Sequence, residues 1–135
     1  MRVLIDTNIV LDVLLDRAPW ADAASQIWDA CDSGRLAGYL PASALTDIFY
    51  IARRATNIST AQVAVGLCLA TFALCPVDRP TPEQATTLQG GDFEDNVQIA
   101  CAVLGNCDAI VTRNPRDFAA SPLPVRSPDE LLMRP

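Results

Sequence analysis

The stretch RVLIDTN, residues 2–8, contains the pattern that decides the fold. Residues 3–5 are apolar, and Arg2 before them has a long aliphatic stem. Such a short run is typical of a parallel strand covered on both faces. The polar residues Asp6, Thr7 and Asn8 follow at once and predict a turn at the carboxyl end of that strand. The next segment, IVLDVLLD, has the spacing of a helix. A strand, a polar turn and a helix in this order indicate the start of an α/β sheet.

Strand and helix patterns alternate along the rest of the chain. Further strands are predicted at 36–41, 75–77, 108–112 and 123–126. Helices are predicted at 21–32, 43–54, 59–74, 82–89 and 92–104, the third with Ser59 as its N-cap. Ser127, Pro128 and Glu130 form a capping-box pattern at the last helix. The alternation, without a linker or repeat, predicts a single α/β domain over residues 1–135, with helices on both faces of a parallel sheet.

The composition limits the class of protein. With 135 residues, 50% hydrophobic and 19% charged, the chain fits one globular domain. No run approaches the roughly 18 uncharged apolar residues of a membrane span, and Asp6 interrupts the N-terminal apolar segment too early for a signal peptide. The five cysteines mostly lie in apolar runs and have no CxxC spacing. They are therefore predicted to be buried reduced thiols, which fits a cytoplasmic protein.

The charged residues exclude several kinds of chemistry. The net charge is −6, and all ten basic residues are arginine, so the chain has neither lysine nor histidine. Without histidine there is no Ser-His-Asp triad and no His-ligated zinc. Without lysine there is no Walker A loop and no Schiff base. An acidic chain binds nucleic acid poorly in general, so action on a polyanion requires local arginines, bound cations or both.

Several acidic side chains fall where a site is expected. Asp6 ends the first strand, although it can also satisfy amides of the turn there. Asp47 is the only charged residue between positions 36 and 52, and a carboxylate on an apolar helix is costly unless it is paired, hydrogen-bonded or metal-bound; the alternative is an exposed helix position. Asp92 and Asp95 share one helical face and could point together into a cleft. The alternative is that Asp92 is only an N-cap and that Asp95 is a favourable charge near the helix N-terminus.

The segment TRNPRDF, residues 112–118, follows a predicted strand directly and so belongs at the same sheet edge as Asp6. Its arginines are either phosphate contacts or part of a solvated loop. Acids gathered at this edge without lysine or histidine would form an oxygen-only site, which suits Mg²⁺ or Mn²⁺. The chemistry that matches such a site is the attack of water on a phosphodiester.

Four segments together carry a family resemblance: VLIDTNIVLDVLLDR at 3–17, SALTDIFYIARR at 43–54, DFEDNVQIACA at 92–102 and CDAIVTRNPRDF at 107–118. They resemble the PIN-domain family, in particular the VapC-like ribonucleases of bacterial toxin–antitoxin systems. The resemblance covers nearly the whole chain and implies a doubly wound parallel sheet and a Mg²⁺- or Mn²⁺-dependent endoribonuclease acting on RNA. It also implies a small antitoxin partner, whose tail occupies the cleft, and a homodimer.

The resemblance also implies roles for individual residues. It maps the acids of the family onto Asp6, Asp47 and Asp95, with Asp6 and Asp95 as metal ligands and Asp47 acting on the attacking water. The family usually has glutamate at the second position, so the shorter Asp47 is expected to act through a water. Asp92 is implied to bind a second ion, and Thr112 and Asn114 are implied to be hydrogen-bonding residues. Asp117 would supply the negative charge that Asn114 lacks. The residues implied to contact the RNA backbone are Arg113, Arg116, Arg53 and Arg54.

Other classes of protein fit less well. A haloacid-dehalogenase-type phosphatase requires a second acid where Asn8 stands and a lysine that the chain lacks. A receiver domain also requires a lysine. The alternative that stays open is a catalytically silent PIN-like module that binds protein or RNA. It is favoured by the short Asp47 and by Asn114, which stands where the family has a fourth acidic position.

Overall fold

A five-stranded sheet forms the centre of the protein in a computed structural model that describes residues 1–133. Arg134 and Pro135, which the predicted domain includes, lie outside the described residues. The strands are β1 (Arg2–Ile5), β2 (Ala37–Pro41), β3 (Ala73–Cys75), β4 (Ala109–Val111) and β5 (Val125–Arg126). The helices are α1 (Thr7–Leu14), α2 (Ala21–Asp32), α3 (Ala44–Ala55), α4 (Ile58–Thr71), α5 (Pro80–Ala85), α6 (Phe93–Leu104) and α7 (Pro128–Leu132), with a 3₁₀ turn at Pro115–Phe118.

The sheet has the order β3-β2-β1-β4-β5, and each neighbouring pair is parallel. The chain moves outward from β1 through β2 to β3 and then returns to the opposite side of β1 for β4. The direction of winding therefore reverses between β1 and β4, which is where open α/β sheets bind ligands beyond the carboxyl ends of their strands. The predicted doubly wound parallel sheet is confirmed.

Alternate residues of β1 separate the core into two halves. Val3 and Ile5 pack on one face with side chains of α1, α2, α3 and α7. Leu4 packs on the other face with side chains of α6, including Ile99. All three β1 residues are fully buried, as expected for a central parallel strand whose side chains alternate between the faces. The predicted helices on both faces are confirmed.

The region around α4 differs from the prediction. The helix begins at Ile58, and its N-cap is Asn57, whose side chain accepts a hydrogen bond of 2.8 Å from the Thr60 N–H; the assignment of Ser59 was wrong. The helix ends at Thr71 because Phe72 turns into the core and packs on Trp28, with ring centroids 4.8 Å apart. The next strand is therefore at 73–75 rather than 75–77. Pro76 follows it and has no N–H to continue the ladder.

Several other local predictions agree more closely with the structure. Helix α2 has the predicted bounds, α6 begins after the N-cap Asp92, and Ser127 and Glu130 form the predicted capping box. Helix α5 begins two residues earlier than predicted, with Pro80 in its first turn, and it ends at Ala85 rather than at residue 89. The five cysteines are free and buried, as predicted. Over residues 1–133 no helix has the length and apolar character needed to cross a membrane.

Candidate active site

An acidic cleft of about 380 Å³ opens beside Asp6, which joins β1 to α1 as the N-cap of the helix, so that Thr7 and Asn8 are helical where the sequence predicted a turn. Its lining comes from Asp6 and the first half of α1, from α3, from α6 with its N-cap, and from the 3₁₀ turn, so four separate parts of the chain meet there. Its six acidic residues are Asp6, Asp47, Asp92, Glu94, Asp95 and Asp117. The cleft therefore brings together all the acids that the sequence analysis assigned to the site, together with Glu94.

Asp6 is the most buried acid of the cleft, with 4% of its surface exposed. Its carboxylate accepts a hydrogen bond of 2.9 Å from the Thr112 hydroxyl and one of 3.3 Å from Nε2 of Gln98. Burial raises the pKa of Asp6, and these two hydrogen bonds act in the opposite direction. The Thr112 hydroxyl in turn accepts the backbone N–H of Asn114 at 3.0 Å. The loop after β4 therefore fixes the orientation of Asp6.

Asp95 has the most strongly shifted carboxyl group of the cleft. Burial, followed by the nearby charges of Asp92 and Asp117, raises the pKa of Asp95 to about 7. Asp92 also accepts the backbone N–H of Asp95 at 3.2 Å, so it caps α6 while it lines the cleft. The capping role and a role in the cleft are thus compatible.

Asp47 faces the same cleft from α3 and is half-buried. The charge of Asp47 acts on Glu94 of α6. Burial raises the pKa of Glu94, and the charges of Asp47 and Asp92 raise it further. The exposed helix position that was the alternative for Asp47 is therefore wrong. Two elements that are far apart in sequence place like charges across one opening.

The donor set of the cleft suits a hard divalent cation. Carboxylate and amide oxygens line it, and neither histidine nor cysteine does. Gln98 also leaves its Oε1 atom buried without a hydrogen-bond partner among residues 1–133. Within the same described residues, no three acidic or cysteine side chains are arranged to enclose a metal ion by themselves. Mg²⁺ fits such a site because it usually keeps several waters and takes only one or two carboxylates from the protein.

Arg113 does not face the cleft. Its Nε donates to Asp12 at 2.8 Å, and its guanidinium lies 3.8 Å from the ring centre of Trp20. Asp12 is fully buried on α1 and also pairs with Arg17 at 3.6 Å. Because its charge and one face of its guanidinium are already engaged, the structure favours a structural role for Arg113 over the predicted phosphate contact.

The remaining predicted residues lie at the edges of the cleft. Arg116 lines an adjoining groove of about 620 Å³, which shares Asp92, Asp95 and Asp117 with the cleft. Arg54 is exposed and stands seven residues after Asp47, which places it on the same face of α3. Arg53 is exposed on a different face, and Asn114 contributes its backbone N–H to Thr112 without lining the cleft.

The sequence analysis did not single out three residues of this region. Gln98 stands three residues after Asp95 on one helical face, a spacing that is visible in the sequence. Glu94 directly precedes Asp95 in the sequence but was not assigned to the site. Asp12 gave no local signal, because its partner Arg113 is 101 residues away.

Residues 2–116 match the sequence profile of the PIN domain. The chain belongs to the PIN-domain family. No curated protein sequence matches it, but solved structures share its fold. The VapBC2 complex of Rickettsia felis, bound to a promoter DNA fragment, contains a chain with TM-score 0.74 and 13% identity, covering 94% of this chain and 98% of that one.

Two further structures show the same likeness. A toxin–antitoxin complex from Klebsiella pneumoniae gives TM-score 0.70 at 22% identity, covering 93% of this chain and 97% of that one. VapC20 of Mycobacterium tuberculosis, described as a toxin that cleaves the sarcin–ricin loop, gives TM-score 0.66 at 13% identity, covering 80% and 86%. At these identities the likeness establishes a shared fold.

The Asp12–Arg113 pair can be tested by stability. Arg113→Ala should destabilise the fold by roughly 3 kcal/mol, because removing one partner leaves a buried charge poorly compensated. Arg116→Ala, at an exposed position in the same loop, should change stability by less than about 0.5 kcal/mol. Urea denaturation of both variants is the measurement. Equal stability of the two variants would show that Arg113 does not hold the loop.

The raised pKa of Asp95 can be tested by the pH dependence of stability. The pKa of Asp95 is about 7 in the folded protein and about 3.9 in an unfolded chain. Between these values the folded state holds a proton that the unfolded state lacks, so the stability of the metal-free protein should fall as pH rises. Asp95→Asn should reduce that fall and raise the melting temperature at pH 8 by a few degrees. The exposed Asp78, changed to asparagine, should do neither, and equal pH profiles for wild type and Asp95→Asn would refute the shift.

Proposed function

We propose that this protein is a metal-dependent endoribonuclease and the toxin of a type II toxin–antitoxin pair. The observation that carries the proposal is the meeting of Asp6, Asp47 and Asp95, from three separate elements, in one cleft of a PIN-domain fold. The cleft lies at the reversal of the sheet winding, where this class of fold binds ligands. Its lining contains no positively charged side chain, so a cation must come from solution.

In this proposal Asp6 and Asp95 hold a divalent cation, Mg²⁺ or Mn²⁺, and Asp92 serves a second ion. A cation bound there would supply a water of lowered pKa and stabilise the charge that develops on the phosphodiester. Thr112 and Gln98 keep the Asp6 carboxylate in place through hydrogen bonds of 2.9 Å and 3.3 Å. Asp47, across the cleft on α3, orients the attacking water or accepts its proton.

RNA is the substrate that the surroundings of the cleft support. Arg116 lines the adjoining groove, and Arg54 lies on the face of α3 that carries Asp47, two helical turns further along, so both are positioned on the side of the protein where the acids lie. Tyr50 lines the cleft and exposes 59% of its surface, which makes it available for stacking on an unpaired base. VapC20, which shares the fold, is described as a toxin that cleaves the sarcin–ricin loop.

The proposed partners are a small antitoxin and a second copy of the chain. Two of the structures that share the fold are toxin–antitoxin complexes. Apolar side chains are exposed along α3 and α4, and exposed apolar patches mark protein interaction sites; they include Ile51, Ile58, Val63, Leu67 and Leu69. The cytoplasm, where free thiols persist, is the proposed location.

A catalytically silent PIN-like binding module is the second candidate. The observation that favours it is that no three acidic or cysteine side chains among residues 1–133 form a metal cage by themselves. A titration with Mn²⁺ separates the two functions, because a silent module has no reason to bind the cation through Asp6 and Asp95.

Cleavage of RNA by the purified protein tests the proposed activity. Cleavage should require Mg²⁺ or Mn²⁺ and should stop when a chelator is added. Asp6→Asn and Asp95→Asn should each lower the rate at least 100-fold, because each removes a carboxylate that holds the cation. Asp78→Asn, outside the cleft, should cleave at the wild-type rate. Wild-type rates in either cleft variant at matched metal concentration would show that the site is assigned wrongly.

A further inference from the structure

Gln98 is a buried amide that lines the acidic cleft. It lies on α6, one helical turn after Glu94 and Asp95, and only 4% of its surface is exposed. A glutamine is rarely buried to this extent unless both ends of its amide are satisfied. The contacts of those two ends therefore indicate what the residue does.

The two ends of the amide differ. Nε2 donates a hydrogen bond of 3.3 Å to Oδ1 of Asp6. Oε1 is buried and has no hydrogen-bond partner among residues 1–133. The reversed amide would set Oε1 against the Asp6 carboxylate, so that two acceptors would face each other. The orientation is thus fixed by Asp6, and the carbonyl oxygen is left for a group that the protein does not provide.

Asn96, on the same helix, provides a comparison. It is also buried, and its Nδ2 donates to the Gly90 carbonyl at 3.2 Å, while its Oδ1 has no partner among residues 1–133. That oxygen lies against Gly90, at the place where a Cβ of that residue would be. Asn96 does not line the acidic cleft, whereas Gln98 does. Of the two buried oxygens without a partner among residues 1–133, only that of Gln98 therefore belongs to a residue that lines the acidic cleft.

We propose that Gln98 belongs to the cation site, where Oε1 supplies an uncharged oxygen to the coordination of the divalent cation while Nε2 holds Asp6. This inference rests on the proposed metal-dependent function. Hard cations take oxygen ligands, amide carbonyls included. A neutral oxygen adds coordination without adding to the repulsion among the carboxylates of the metal-free fold. Gln98 is thus a binding residue in addition to the acids.

Calorimetric titration of the folded protein with Mn²⁺, without RNA, tests the role of Gln98. Gln98→Met keeps the approximate shape and removes both polar ends, so the Kd for Mn²⁺ should rise about tenfold or more. Gln98→Glu keeps an oxygen toward the cation but loses the donor to Asp6. It should bind Mn²⁺ at least as tightly as wild type, although its metal-free form should melt at a lower temperature. If Gln98 served only to hold Asp6, both variants would bind Mn²⁺ more weakly, and that result would overturn the proposal.

Asn96→Leu is the matched control, since it also removes a buried amide from α6. It should lower the melting temperature but leave the Kd for Mn²⁺ within about twofold of wild type. A loss of affinity in Asn96→Leu equal to that in Gln98→Met would mean that loosening of α6 is responsible, and the assignment of Gln98 would fall. Wild-type protein that binds no Mn²⁺ would refute the metal site as a whole. Wild-type binding with an unchanged Kd in Gln98→Met would refute the role of Gln98 alone.

Discussion

Concentration of negative charge at the carboxyl edge of the sheet is the constraint on which the rest of the site depends. Burial raises the pKa of Asp6, and burial together with neighbouring carboxylates raises the pKa of Asp95 to about 7. Hydrogen bonds from Thr112 and Gln98 stabilise the Asp6 carboxylate, but they bring no positive charge into the cleft. The metal-free fold therefore retains an electrostatic repulsion that a divalent cation would relieve.

The surrounding structure holds the acids together against this repulsion. The central strand β1 is buried on both faces and places Asp6 at its end, where the backbone N–H of Asp6 bonds to Val111 of β4 at 2.9 Å. The pair formed by Asp12 and Arg113 ties the loop after β4 to α1. Because Arg113 directly follows Thr112, that pair also steadies the hydroxyl that bonds to Asp6. Contacts outside the cleft thus add to the hydrogen bonds of Thr112 and Gln98 in holding Asp6 in place.

Local patterns in the sequence were sufficient to predict the fold and most of the acids. The apolar run before Asp6, the bounds of α2 and the cap at Asp92 depend on nearby residues, so they were visible. The end of α4 was not, because it depends on the packing of Phe72 against Trp28 from another helix. The engagement of Arg113 by Asp12 was missed for the same reason, since only the folded chain brings the two residues together.

Thermal denaturation of wild type and Asp6→Asn, each with a chelator and with Mn²⁺, tests the central claim most directly. The claim is that the buried Asp6 carboxylate is part of a divalent cation site. A ligand that binds only the folded state raises the melting temperature, so Mn²⁺ should stabilise wild type by several degrees. Most of that shift should be lost in Asp6→Asn. Equal shifts in the two proteins, or no shift in wild type, would contradict the claim.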